Sequence, residues 1–157
     1  MINTYRYGAK GKAIKEGKEI ELDVPSWTVL KRMGAFLKVT IAHPRIVQEE
    51  YEKGGETAPQ ISVNALIDTG ASGTVITPEL AEKLKLVHTG FQNVTSVQDE
   101  QNRPVFFGSI IMPWGPGKEL PMVACPLKGF DCLIGRDILM HWHFTYNGPD
   151  GSVVICD

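Results

Sequence analysis

Residues 65–76, Ala65-Leu66-Ile67-Asp68-Thr69-Gly70-Ala71-Ser72-Gly73-Thr74-Val75-Ile76, carry one aspartate from an apolar run through a turn of small residues into a second apolar run. Val63, Ala65 and Ile67 alternate with Asn64 and Leu66, the pattern of a short, mostly buried strand. Thr69 brings a hydroxyl that can hold neighbouring backbone. Gly70 and Gly73 permit a tight turn and close approach of another backbone segment. A chain built this way holds a carboxylate at the floor of a cleft. Asp and Gly are ordinary turn formers, so the triplet alone says little. Its weight comes from a second landmark, Asp131-Cys132-Leu133-Ile134-Gly135-Arg136-Asp137-Ile138-Leu139.

Around these landmarks the pattern is that of many short strands with little helix. A strand is expected from Gly34, through Phe36, Leu37, Val39 and Ile41, until His43-Pro44 stops it. Pro44 to Gln60 reads as a polar insertion with at most a short helix before Gly54-Gly55. Thr77-Pro78-Glu79-Leu80 is a helix start, with a capping hydroxyl, a first-turn proline and an early carboxylate. Its core face is Leu80, Ala81, Leu84 and Leu86. Phe91 to Val97 and Val105 to Met112, joined by the polar link Gln98 to Asn102, predict a hairpin. Strands are expected at Leu120–Leu127, Phe130–Ile134 and Val153–Ile155, and a short helix at Asp137–His143. This predicts an all-β domain, closed or sandwiched, with one or two short helices.

Residues 1–32 differ from the rest in their lysines, their glycines and their scarcity of large apolar side chains. They form either a mobile arm or an added hairpin, with Ile20 and Leu22 alternating against Glu19, Glu21 and Asp23. Residues 33–157 are the expected core domain. A chain of 157 residues supports one such domain. Its net charge of −2 gives no footprint for nucleic acid or an anionic membrane. No apolar run approaches the roughly 20 residues that span a bilayer. The lysine-rich start does not resemble a secretory signal, and Cys125, Cys132 and Cys156 lack metal-ligand spacing. Reduced thiols and a cytoplasmic location are the resulting expectation. His141 and His143 are too few ligands for a metal, and no histidine near Ser72 or Thr74 suggests a serine triad.

From about Met33 to Ile155 the chain resembles the retropepsin-like aspartic proteases, the single-domain relatives of pepsin that include the retroviral enzymes. Three landmarks in the family's order carry the resemblance: the 66–72 loop, the hairpin around 95–109, and the 132–139 segment. It implies a closed pepsin-like β-barrel acting as a two-fold homodimer, with no cofactor. Asp68 would be catalytic, while Thr69 and Gly70 would support the loop, Thr69 by hydrogen bonds across the two-fold axis. Gly70 would offer its carbonyl to substrate backbone, and Ala71 and Ser72 would line subsites. Gln98, Asp99 and Glu100 would lie at the tip of a flap over an extended peptide. Ile134, Gly135 and Arg136 would stand beside the loop, with Arg136 and Asp137 in structural ion pairs. Many viral members place an acidic residue at the position of Ser72 as the arginine's partner, so that partner is open here.

Hydrolysing a peptide bond with neither metal nor nucleophilic side chain takes an activated water and a proton donor for the amine. Two adjacent carboxylates supply both, because like charges at short range share one proton. That behaviour is the established example of the aspartic-protease dyad. None of Asp23, Asp99, Asp131, Asp137, Asp150 and Asp157 lies in a second Asp-Thr/Ser-Gly, so a second copy must bring the second Asp68. The expected function is therefore an aspartic endopeptidase acting on peptide or protein substrates. The alternative is a peptide- or protein-binding module on the same fold, favoured by a tip without glycine that carries Asp99 and Glu100.

Overall fold

The structure is a computed structural model and describes residues 1–15, 18–95 and 100–157. In chain order the first elements are β1 (Ile2–Arg6), β2 (Ala9–Lys15), β3 (Lys18–Val24) and α1 (Ser26–Met33). Then come β4 (Phe36–Ala42), α2 (Arg45–Lys53), β5 (Gln60–Ile67), β6 (Val75–Ile76) and α3 (Pro78–Leu84). The hairpin strands are β7 (Val87–Thr95) and β8 (Glu100–Ile111), followed by β9 (Gly117–Ala124) and β10 (Cys132–Ile134). Last are α4 (Arg136–Leu139), β11 (His143–Asn147) and β12 (Ser152–Cys156). The chain is mostly β, and it divides into two compact units.

One unit comprises Met1–Phe36 with Leu139–Asp157. Its three-stranded sheet has the order β1-β12-β11, so the two ends of the chain pair antiparallel, Ile2 opposite Cys156. Val153, Ile155 and Leu30 are fully buried in it. The hydroxyls of Tyr7 and Tyr146 donate to the carbonyls of Phe36 (2.9 Å) and Leu30 (3.2 Å). Burial pushes the Tyr7 phenol up to about 12. Among the described residues, strands β2 and β3 pair only with each other, and the ladder runs from Ala9↔Val24 to Lys15↔Lys18. The expected helix over Asp137–His143 ends at Leu139, and His143 instead opens β11. The aromatic and β-branched run Phe144-Thr145-Tyr146 pairs with β12 across the Asn147–Gly151 turn, and that ladder overrides the helical reading.

The other unit, Leu37–Ile138, holds a seven-stranded sheet of order β4-β5-β10-β6-β9-β8-β7, with β4 also paired to β8 through Thr40↔Ile111 to Ala42↔Ser109. Leu37, Val39, Ile41, Ala65, Ile76, Ile110, Met122 and Ile134 form its buried core. In β5, Val63, Ala65 and Ile67 are buried and Asn64 is exposed, as the alternation predicts. Leu80, Ala81, Leu84 and Leu86 are buried as expected. Thr77 stands at the N-cap of α3, yet its hydroxyl makes no capping bond and is buried without a partner. The first-turn amides of Leu80 and Ala81 bond to the Thr77 carbonyl instead. The β7–β8 ladder reaches Thr95↔Glu100, so Glu100, Gln101 and Asn102 belong to a strand rather than to the link. Among the described residues, no helix is long and apolar enough to cross a membrane.

Candidate active site

The parallel pairing of β5 with β10 sets Ala65, Leu66 and Ile67 beside Cys132, Leu133 and Ile134. The Asp68 amide extends that ladder by donating to the Ile134 carbonyl at 3.0 Å. At this point the chain turns. Asp68 is half-buried, and its Oδ1 accepts from the Gly70 amide at 2.7 Å, while the Ala71 amide donates to the Asp68 carbonyl at 3.3 Å. Thr69 and Gly70 are exposed at the crest of the loop.

The second landmark holds the loop from beneath. The amides of Arg136 and Asp137 donate to the carbonyls of Ala71 (3.0 Å) and Ser72 (3.2 Å). The Asp137 carboxylate accepts from the Thr74 amide at 2.8 Å and from its hydroxyl at 2.9 Å. Thr74 is buried, so that carboxylate satisfies two groups that water cannot reach. At Gly135 a Cβ would overlap the backbone of Gly73, which is why no side chain fits beside the loop. Arg136 Nη1 donates to the carbonyls of Thr69 (2.8 Å) and Gly70 (3.0 Å). The ion pairs expected of Arg136 and Asp137 are therefore replaced, among the described residues, by uncharged partners. Ser72 offers no carboxylate to the guanidinium, which bonds the loop's own carbonyls.

Cys132 lies under the loop with no exposed surface, and burial pushes its thiol up to about 12, with Asp137 and Asp131 adding to the rise. Such a thiol is an inert core group. The cysteines, Cys125, Cys132 and Cys156, are free. Among the described residues no group of three or more His, Cys, Asp or Glu side chains could hold a metal ion.

Gly70, Ala71, Ser72 and Gly73 form one wall of a cleft of about 350 Å³, with Val75, Val123 and Arg136 beside them and Gln92, Asn93, Val94 and Thr95 of β7 as the other wall. The cleft thus joins the predicted loop residues Gly70, Ala71 and Ser72 to a stretch of β7 that carried no recognisable site signal. Glu100 is exposed at the start of β8, outside this lining. Gln98 and Asp99 lie outside the described residues. Ile134 and Gly135 are buried behind the loop.

Residues 54–106 match the family model described as aspartyl protease. The matched aspartyl protease segment runs from the end of α2 through β5, Asp68 and α3 into β8. The solution structure of the simian foamy virus (mac) protease is 16% identical, covers 68% of this chain and 92% of its own, and superposes with a TM-score of 0.44. The crystal structure of a retropepsin-like aspartic protease from Rickettsia conorii is 17% identical, covers 77% and 91%, and gives 0.43. No curated protein matches the chain.

Proposed function

We propose that the protein is an aspartic endopeptidase in which two copies each contribute one Asp68 to a shared centre. One observation carries the reading. Asp68 ends a buried strand in an Asp-Thr-Gly turn held by bonds from β10 and α4, and Gly70–Gly73 of the same loop line a cleft whose walls do not include Asp68 itself. A structural turn aspartate needs no such cleft. The aspartyl protease match over residues 54–106 supports the same chemistry. A pair of carboxylates divides the activation of water from the polarisation of the carbonyl, and each chain brings one, so an isologous dimer completes the site. In it, one Asp68 takes a proton from the attacking water while its protonated counterpart holds the substrate carbonyl and then delivers a proton to nitrogen.

The rest of the assignment follows from this. The β4–β8 pairing returns the sheet toward its first strand, which supports a closed barrel within the unit Leu37–Ile138. Thr69, exposed at the loop crest, is free to bond across the two-fold axis. Peptide or protein chains bind extended in the cleft, beneath a flap formed by the β7–β8 hairpin. The reaction needs no cofactor.

The test is digestion of a denatured protein between about pH 3 and pH 7 by the wild type and by Asp68→Asn, with dimerisation followed by sedimentation. Cleavage is expected to fall by about 10²- to 10⁴-fold or more in the variant, and the wild-type rate to rise with the square of concentration below the dimer dissociation constant. Cleavage that survives Asp68→Asn assigns the activity to other groups. A stable dimer that binds peptides without cutting them selects the binding module instead.

A further inference from the structure

We propose that Arg136 gives the cleft a preference for peptides carrying a glutamate or aspartate side chain beside the Asp68 loop. The proposal names a substrate class for the peptidase site and rests on that reading of the cleft. Among the described residues that line it, Arg136 alone carries a charge at neutral pH. The others are Gly70 to Gly73, two valines, and β7 side chains that add amides, a hydroxyl and a third valine.

The guanidinium is exposed but fixed in place. Its Nη1 donates to Thr69 and Gly70, and those two bonds use both hydrogens of one terminal nitrogen. The N–H groups of Nε and Nη2 have no partner among the described residues. An arginine anchored at one nitrogen with donors open on the others presents the planar fork that matches a carboxylate. Its anchorage means that little further ordering is needed when an acid binds.

Among the described residues, the surrounding charges leave that cation uncompensated. Ser72 on the same wall is neutral. The Asp137 carboxylate is engaged by Thr74 and by the Ile138 amide (2.9 Å), and Asp68 by the Gly70 amide. Lys118 adds a second cation nearby, its Nζ donating to the Asp137 carbonyl at 3.0 Å. Glu100, opposite Thr95 in the β7–β8 ladder, lies outside the lining.

The experiment uses fluorescein-labelled peptide pairs that differ only in Glu against Gln, with the exchange scanned along the peptide. Cleavage is measured as kcat/KM with the wild type, and binding by anisotropy with Asp68→Asn, near pH 6. At one position the Glu peptide is expected to be favoured about tenfold in both measurements, less at high salt. The ratio is expected to collapse towards one in Ser72→Asp, which sets a carboxylate on the same wall, and in Arg136→Gln. Equal cleavage and equal binding of every pair overturns the proposal and leaves the peptidase intact. A preference that survives both substitutions also overturns it. Glu-selective binding without cleavage supports the arginine's role and overturns the peptidase reading, and failure to bind or cleave any peptide overturns both.

Discussion

Gly70–Gly73 and Gln92–Thr95 line the same cleft, but the first segment is bonded by another part of the chain while the second, among the described residues, pairs only within its own hairpin. The loop's carbonyls at 69, 70, 71 and 72 accept from Arg136 and Asp137, and its amides at 70 and 74 donate to carboxylates. Among the described residues, strand β7 ends its sheet, pairs with β8 alone, and leaves Gln92, Asn93 and Thr95 exposed. The physical lesson concerns tolerance. A carboxylate that, as proposed, meets its twin must be fixed within fractions of an ångström, and an over-determined loop suits that task. A wall that only receives side chains can be an exposed strand whose residues vary without unfolding anything.

The largest break in that contrast is expected from Gly135→Ala. The added methyl meets the Gly73 backbone, which cannot move aside as a flexible side chain would. The expected cost is about 3 kcal/mol, read as a lowered urea midpoint, together with a loss of the proposed cleavage. A midpoint within error of wild type would show that the loop is not packed against Gly135 as described. Asp137→Asn is expected to cost about 2 kcal/mol. The amide oxygen can still accept from the Thr74 amide, but the NH₂ then takes the place of the oxygen that accepts from the Thr74 hydroxyl and the Ile138 amide, and it faces that amide donor to donor. Denaturant unfolding of this variant beside Thr74→Val checks the pairing: the double substitution should cost less than the sum of the two.

Much of the loop could be read from residues alone because its signals are local. An apolar run, an Asp-Thr-Gly and a glycine before Arg-Asp each state a backbone requirement within a few positions. The hairpin ladder and the burial of α3 were legible for the same reason, since periodicity marks the face that packs. What stayed hidden depends on distant partners. The pairing of β1 with β12 joins the ends of the chain, and neither strand names the other. The short β11 run offers too few residues for alternation to outweigh a helix reading begun at Asp137. No pattern in the sequence indicates that Arg136 bonds to the carbonyls of Thr69 and Gly70, because carbonyls are everywhere and only the fold selects two of them. The β7 wall was invisible as a site since Gln92, Asn93 and Thr95 look like any solvated strand face.

Alkaline pH probes the loop's foundation with a smaller expected effect. Burial favours the neutral Cys132 thiol in the fold, while the unfolded thiol ionises near its ordinary 9.0. Its folded value is raised to about 12, so the stabilisation is complete below 9.0 and is lost as pH climbs towards about 12. Urea midpoints taken at about pH 8 and pH 10.5 should fall more for wild type than for Cys132→Ala. An equal fall in both proteins would assign the alkaline sensitivity to another group, with Tyr7 of the other unit, also raised to about 12, the first to examine.

The smallest effects are expected on the other wall, and they sharpen the contrast most. Gln92 and Asn93 are exposed, and their backbone bonds belong to the β7–β8 ladder, which a change of side chain leaves in place. Gln92→Ala and Asn93→Ala should each move stability by no more than about 0.5 kcal/mol. If this wall grips substrate equally in ground and transition states, the same substitutions raise KM and leave kcat unchanged. Loss of kcat with stability intact would mean that β7 also positions the reacting bond. The division of labour between the walls would then be wrong, and the hairpin would have to count as part of the catalytic machinery.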